Sequence, residues 1–150
     1  MKDSLQPGLK FEFQFQVPET KTVPYLYPES PEFQAMPRVL ATGYMVGLFE
    51  WACIQALNPY LDWPREQTVG IHVNLSHTAA TPPGLVVTVR GLLEKVEGRK
   101  LTFFLEADDG ADLISQGYHE RFVIDAVKFN TKVKAKAQGA GASQESMAPG

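Results

Sequence analysis

Phe11, Phe13, Phe15 and Val17 alternate with Glu12, Gln14 and Gln16. A two-residue period puts the apolar chains on one face of a strand and the polar chains on the other. Residues 18–30 carry Pro18, Pro24 and Pro28 and read as an irregular loop. Ser30-Pro31-Glu32 has the form of a helix start, with Ser30 as N-cap and Pro31 at the first helical position. Pro37 either ends that short helix or opens the next. From Arg38 to about Leu57 the chain is apolar on nearly every side, through Val39, Leu40, Met45, Val46, Leu48, Phe49, Trp51 and Ile54. This predicts one long helix, buried on most sides and closed by the turn chemistry of Asn58-Pro59 and Asp62-Trp63-Pro64. Further on, Val69, Ile71, Val73 and Leu75 alternate with Gly70, His72, Asn74 and Ser76. Turns at Pro82-Pro83-Gly84, Glu97-Gly98-Arg99 and Asp108-Asp109-Gly110 then separate strands over 85–93, 101–107 and 115–127. Residues 137–150 are rich in Gly, Ala and Ser and are expected to be disordered.

The order is strand, loop, long helix, four strands, which is an α+β domain. One helix cannot cover itself, so the economical solution is a curved antiparallel sheet wrapped around one long central helix. With 150 residues, one domain over 1–136 and a tail over 137–150 are expected. A thin domain with a single sheet is expected to pair with a copy of itself as a homodimer. The net charge of −3 gives no sign of a nucleic-acid-binding surface. The single cysteine, Cys53, can form neither an internal disulfide nor a Cys-x-x-Cys metal framework. That fits a reducing compartment, and residues 1–10 hold no apolar signal region, so the cytoplasm is expected. Val39–Leu57 is near the length of a membrane span. Glu50 lies inside it and Gly43 and Gly47 interrupt it, so a buried helix of a soluble domain is the better reading, with no membrane partner.

Glu50 is the only charged side chain between Val39 and Ala56. A carboxylate in apolar surroundings is costly unless paired or protonated, and such surroundings raise its pKa as they do for catalytic carboxylates. The alternatives are an exposed stripe or an arginine partner. Thr42, eight residues earlier, lies about two turns away and roughly 80° round the helix. It is nearer the N-terminus, where free amides favour a developing anion. His77 continues the apolar phase of its strand and could move protons near neutral pH, or be a core histidine. His72 falls on the more polar face. His119 and Arg121 lie together on the last strand as possible interface residues. Arg121, in an otherwise apolar strand, would be justified by a carboxylate or CoA phosphate partner, or be a plain surface arginine. There is no Gly-x-Ser-x-Gly elbow, no phosphate-binding glycine loop and no metal-ligand cluster. A Glu, a Thr and a His without a cofactor motif suit water-dependent acyl transfer without a metal.

Longer runs carry a resemblance. They are KTV at 21–23, LYPESPEF at 26–33, ATG at 41–43, MVGL at 45–48 and EWAC at 50–53. HTAATPPGL at 77–85, VEGR at 96–99, HER at 119–121, KFN at 128–130 and KV at 132–133 continue the series. Over nearly all of residues 1–134 the chain resembles the fluoroacetyl-CoA thioesterase family of hotdog-fold enzymes. The resemblance implies a hotdog fold, a homodimer, and hydrolysis of an acyl-CoA with no cofactor beyond the coenzyme A of the substrate. The family's catalytic Thr, Glu and His fall on Thr42, Glu50 and His77, and its substrate-contacting Gly and Arg on Gly70 and Arg121. One extra residue lies between Glu50 and Gly70. The family's phenylalanine gate beside the acyl pocket falls on Met36, while the nearby Phe33 is kept. Methionine is flexible and fills space loosely, so strict preference for a fluorinated acyl group is not implied.

These assignments make Glu50 nucleophile or general base, His77 the proton carrier and Thr42 the group that orients Glu50 or bonds the reacting centre. The Gly70 amide would be an oxyanion donor, and Arg121 would hold substrate or brace the site. Two rivals are a hydratase of enoyl thioesters, for which no Asp/His motif is visible, and an acyl-CoA-binding module without turnover.

Overall fold

The computed structural model describes the backbone of residues 1–147 and the side chains of residues 1–141. Strand β1 (Lys10–Gln16) leads through an irregular stretch to the one-turn helix α1 (Pro31–Gln34). Ser30 caps α1 as expected, its hydroxyl accepting from the Phe33 amide at 3.2 Å. The long helix α2 (Thr42–Leu57) follows, then β2 (Glu66–Leu75), β3 (Val86–Glu97), β4 (Lys100–Asp108), β5 (Leu113–Asp125) and a terminal helix α3 (Ala126–Met147). The five strands form one antiparallel sheet in the order β1-β3-β4-β5-β2. This is the hotdog arrangement, with α2 lying along the sheet.

Met45, Leu48, Phe49, Ala52, Cys53 and Leu57 of α2 are buried. Their spacing of three and four residues makes one stripe on one side of a helix. The stripe packs on Val87, Val89, Leu93, Leu101, Phe103, Leu105, Ile114 and Val123 of the sheet. Trp51, on the other side, is half-exposed but leans on β1, its ring 4.8 Å from Phe13 and 6.1 Å from Phe15. The helix is therefore buried along one face within a single chain, not on most sides as its apolar composition suggests.

Three expectations are corrected. The long helix begins at Thr42, not Arg38. Arg38 and Val39 form a bend, and the next two residues are tied down instead: Leu40 bridges to Thr22 and donates its amide to the Thr81 carbonyl at 2.8 Å, and the Ala41 amide donates to the Lys21 carbonyl at 3.1 Å. The last strand ends at Asp125, where the Asp125 Oδ1 atom accepts from the amides of Val127 and Lys128 (3.0 and 3.1 Å) and starts α3. That helix was not anticipated, and it continues into 137–150: the backbone of 137–147 is helical, and 148–150 lie outside the described residues. Finally, the simple alternation along β2 breaks. Gly70 faces Arg121 on β5, but the next paired residue is His72, facing Glu120. This bulge reverses the side-chain phase. Before it Thr68 and Gly70 lie on the sheet face of Val123 and Arg121, and beyond it Val73 and Leu75 return to that face, with Val73 still 45% exposed.

Candidate active site

The early start of α2 decides where Thr42 sits. Thr42 occupies the first helical position, after Ala41, and no side chain caps that end. The first amides of a helix have no partner within it and point outward along the axis. Thr42 Oγ1 lies 2.8 Å from His77 Nδ1. His77 is not on β2 but in the segment that follows it. The Ser76 amide donates to Gln116 (3.0 Å) and the Thr78 amide to Ile114 (2.8 Å), which clamps His77 between them. Burial holds the His77 imidazole below the ordinary histidine range, so it is neutral near pH 7. Its Nε2 atom is buried and has no hydrogen-bond partner among the described residues. Thr42 and His77 share an open cavity with Val23, Val39, Leu40, Thr78, Ala79 and Ala80.

The second cluster centres on Glu50, which has an arginine partner, one of the alternatives its apolar surroundings left open. Arg121 Nη1 donates to Glu50 Oε1 at 3.1 Å. Arg121 is only 2% exposed, yet its guanidinium is well satisfied. Nε donates to Thr68 Oγ1 and Nη2 to the Thr68 carbonyl, both at 2.8 Å, and Nη1 lies 3.1 Å from His119 Nε2. These bonds occupy Arg121 as a brace for the carboxylate. Gly70 lies against the same group: a Cβ there would come 2.7 Å from Glu50 Oε1, 3.2 Å from His119 Cε1 and 3.4 Å from Arg121 Nη1. The β2 bulge makes this possible by turning Gly70 inward opposite Arg121.

Within one chain the structure joins Thr42 to His77 and joins Glu50 to Arg121 and Gly70. It does not join the two pairs by a hydrogen bond. They lie on one helix, roughly 12 Å apart along its axis. Phe33 packs on Tyr27, with ring centroids 5.4 Å apart, and Met36 is 51% exposed. Neither residue lines the Thr42–His77 cavity. Of two further contributors, Thr68 was assigned no role from sequence and His119 only that of an interface candidate. His119 and Arg121 are two apart on one strand and therefore share a face, which was the available signal. Thr68 was hidden because the alternation placed Val69 inward. Cys53, inside the core beside this cluster, is no nucleophile: burial pushes its thiol up to about 12, with Arg121 lowering it and Glu50 raising it. Among the described residues no group of three His, Cys, Asp or Glu side chains could hold a metal ion, and no helix is long and apolar enough to cross a membrane.

A family model described as fluoroacetyl-CoA-specific thioesterase matches residues 20–127, a span that contains every residue of both clusters. The chain belongs to that family. A fluoroacetyl-CoA thioesterase from Streptantibioticus cattleyicolor is 54% identical over 136 residues, covering 91% of this chain and 97% of that protein. A solved threonine-to-serine variant of a fluoroacetyl-CoA thioesterase, in complex with acetyl-CoA, superposes with a TM-score of 0.85 at 53% identity. That match covers 88% of this chain and 98% of the other. A thioesterase superfamily member from Thermus thermophilus shares the fold at 26% identity and a TM-score of 0.80, over 93% and 98% of the two chains. The fluoroacetyl-CoA thioesterase family accounts for the fold and for the hydrolytic chemistry: this chain is a thioester hydrolase.

Proposed function

We propose that the chain hydrolyses a short acyl-CoA to the free acid and CoA, with Glu50 attacking the thioester carbonyl or taking the proton of the attacking water. The observation that carries this reading is the Glu50–Arg121 pair packed against Gly70. Arg121 fixes one carboxylate oxygen and leaves the other to act. The side chain of Glu50 remains 40% exposed on that face, open to a ligand. A backbone without a side chain at position 70 lets the thioester come within reach of Glu50. The Gly70 amide serves as oxyanion donor. His77, kept neutral by burial, can take up and pass on a proton at the Thr42 end of the helix, and the Thr42 hydroxyl holds its Nδ1 side. Phe33 and Met36 border the acyl group. No cofactor is needed beyond the CoA of the substrate.

The working form is a homodimer in the cytoplasm. In support, β2 is an edge strand on which Ile71 and Val73 are 49% and 45% exposed, and an unpaired apolar edge favours pairing with a second chain. The relative solved with acetyl-CoA supports a short acyl group. The test is release of free thiol from acetyl-, fluoroacetyl- and longer acyl-CoAs. Turnover of the short esters, falling with chain length, is expected. Tight binding of acyl-CoA with no thiol released would favour the binding-module reading instead.

A further inference from the structure

His119 is 1% exposed and has both ring nitrogens engaged. Its Nδ1 lies 2.8 Å from the His72 carbonyl oxygen, and its Nε2 lies 3.1 Å from Arg121 Nη1. A carbonyl only accepts and a guanidinium only donates. The ring must therefore carry its proton on Nδ1 and present a bare Nε2 to Arg121. Arg121 Nη1 has two hydrogens. One goes to Glu50 Oε1 and the other to His119.

We infer that His119 is a positioning residue for the reaction: as a neutral imidazole anchored to β2, it fixes the Arg121 guanidinium that in turn sets the Glu50 carboxylate. The inference rests on the reading of Glu50 as the acting carboxylate. The anchor has a particular place. The His72 carbonyl belongs to the first paired residue after the β2 bulge, and Gly70, just before it, touches Glu50. His119 thus ties the irregular part of β2 to the brace beneath the carboxylate.

The groups around His119 define its response to acid. Arg121 meets its ring from β5, Glu50 acts on it from α2, and the His72 carbonyl bonds it from β2; Glu120, next along β5 on the opposite face, adds a charge, and its β4 neighbour Phe103 does not titrate. Burial pushes the His119 imidazole below the usual range, the bond to His72 opposes this, and Arg121 lowers it further. As pH falls through that lowered value, a proton on Nε2 sets two donors face to face and releases Arg121 from its position.

Two variants test this alongside Glu50→Gln. His119→Leu removes the acceptor. It should lower kcat by at least about tenfold, toward the ~10²-fold that a misplacement of about 1 Å can cause, with KM little changed. His119→Gln restores a non-titrating acceptor near the Nε2 position. It should recover most of the loss and extend activity to lower pH than wild type. His77 is intact in every protein, so the difference between profiles belongs to His119. Wild-type kcat in both variants, or superimposable pH profiles for wild type and His119→Gln, would overturn the inference. If Glu50→Gln itself keeps full activity, the reading of Glu50 fails. An inactive Glu50→Gln beside a fully active His119→Leu removes His119 alone.

Discussion

A methyl group at position 70 would sit 2.7 Å from Glu50 Oε1. That is closer than a carbon and an oxygen can approach, so Gly70→Ala must move the carboxylate or the β2 backbone. The expected result is a fall in kcat of roughly 10²-fold with the fold retained, checked by steady-state kinetics beside a thermal melt. An unchanged kcat would mean that the position of Glu50 against β2 does not matter. Position 36 carries a different argument. Met36 is 51% exposed after α1, and its unbranched chain can occupy many shapes. Met36→Phe replaces it with a stiff ring at the position proposed to border the acyl group. The ratio of kcat/KM for fluoroacetyl-CoA over acetyl-CoA should rise by about tenfold, within the range one pocket contact can give.

At the scale of elements, the loop bearing His77 depends on a buried clip. Thr81 Oγ1 donates to Asp109 Oδ2 at 2.8 Å, and Asp109 Oδ1 accepts from the amides of Ala111 and Asp112 at 3.0 and 2.8 Å. Thr81→Val removes one of these bonds and leaves a carboxylate short of a partner. A loss of about 1–3 kcal/mol in denaturant unfolding is expected, with weaker catalysis because the Thr42–His77 pair loosens. Much of this level was legible in the chain. The strict alternation of Phe11, Phe13 and Phe15 marked β1, Ser30 and Pro31 marked α1, and Gly98 and Asp108-Asp109-Gly110 marked the later turns. What was hidden depended on contacts made elsewhere. Val39 and Leu40 look helical, but Lys21, Thr22 and Thr81 tie down their stretch of backbone instead. The bulge after Gly70 is set by pairing with β5, so no local period could place Thr68 and Gly70 inward. The Asp125 cap of α3 had a visible signal in Asp125 before Ala126, masked by the apolar run of β5. Glu50 was found by its isolation, but its partner Arg121 is 71 residues away in sequence.

For the whole molecule, two buried imidazoles tie stability to pH. His77 and His119 are both held below the ordinary histidine range, chiefly by burial. In the unfolded chain they titrate near about 6.5. As pH falls through that value the unfolded state takes up protons that the folded state refuses, so stability drops until the lowered folded values are reached. The Tm at about pH 5 should therefore lie below that at about pH 7.5, and His119→Gln should narrow the gap. Assembly gives a second prediction at this scale. Placing a charge on the exposed edge of β2, as in Val73→Asp, should shift the chain toward monomer in sedimentation. An unchanged dimer would place the interface elsewhere.

The catalytic predictions rest on Glu50 being the group that acts on the thioester. The most direct measurement is kcat for release of CoA from acetyl-CoA and fluoroacetyl-CoA by Glu50→Gln, which keeps size and hydrogen bonding and removes the charge. A loss of about 10²–10⁴-fold, the usual contribution of a positioned acid or base, is the predicted result. A variant that turns over as fast as wild type would contradict the account.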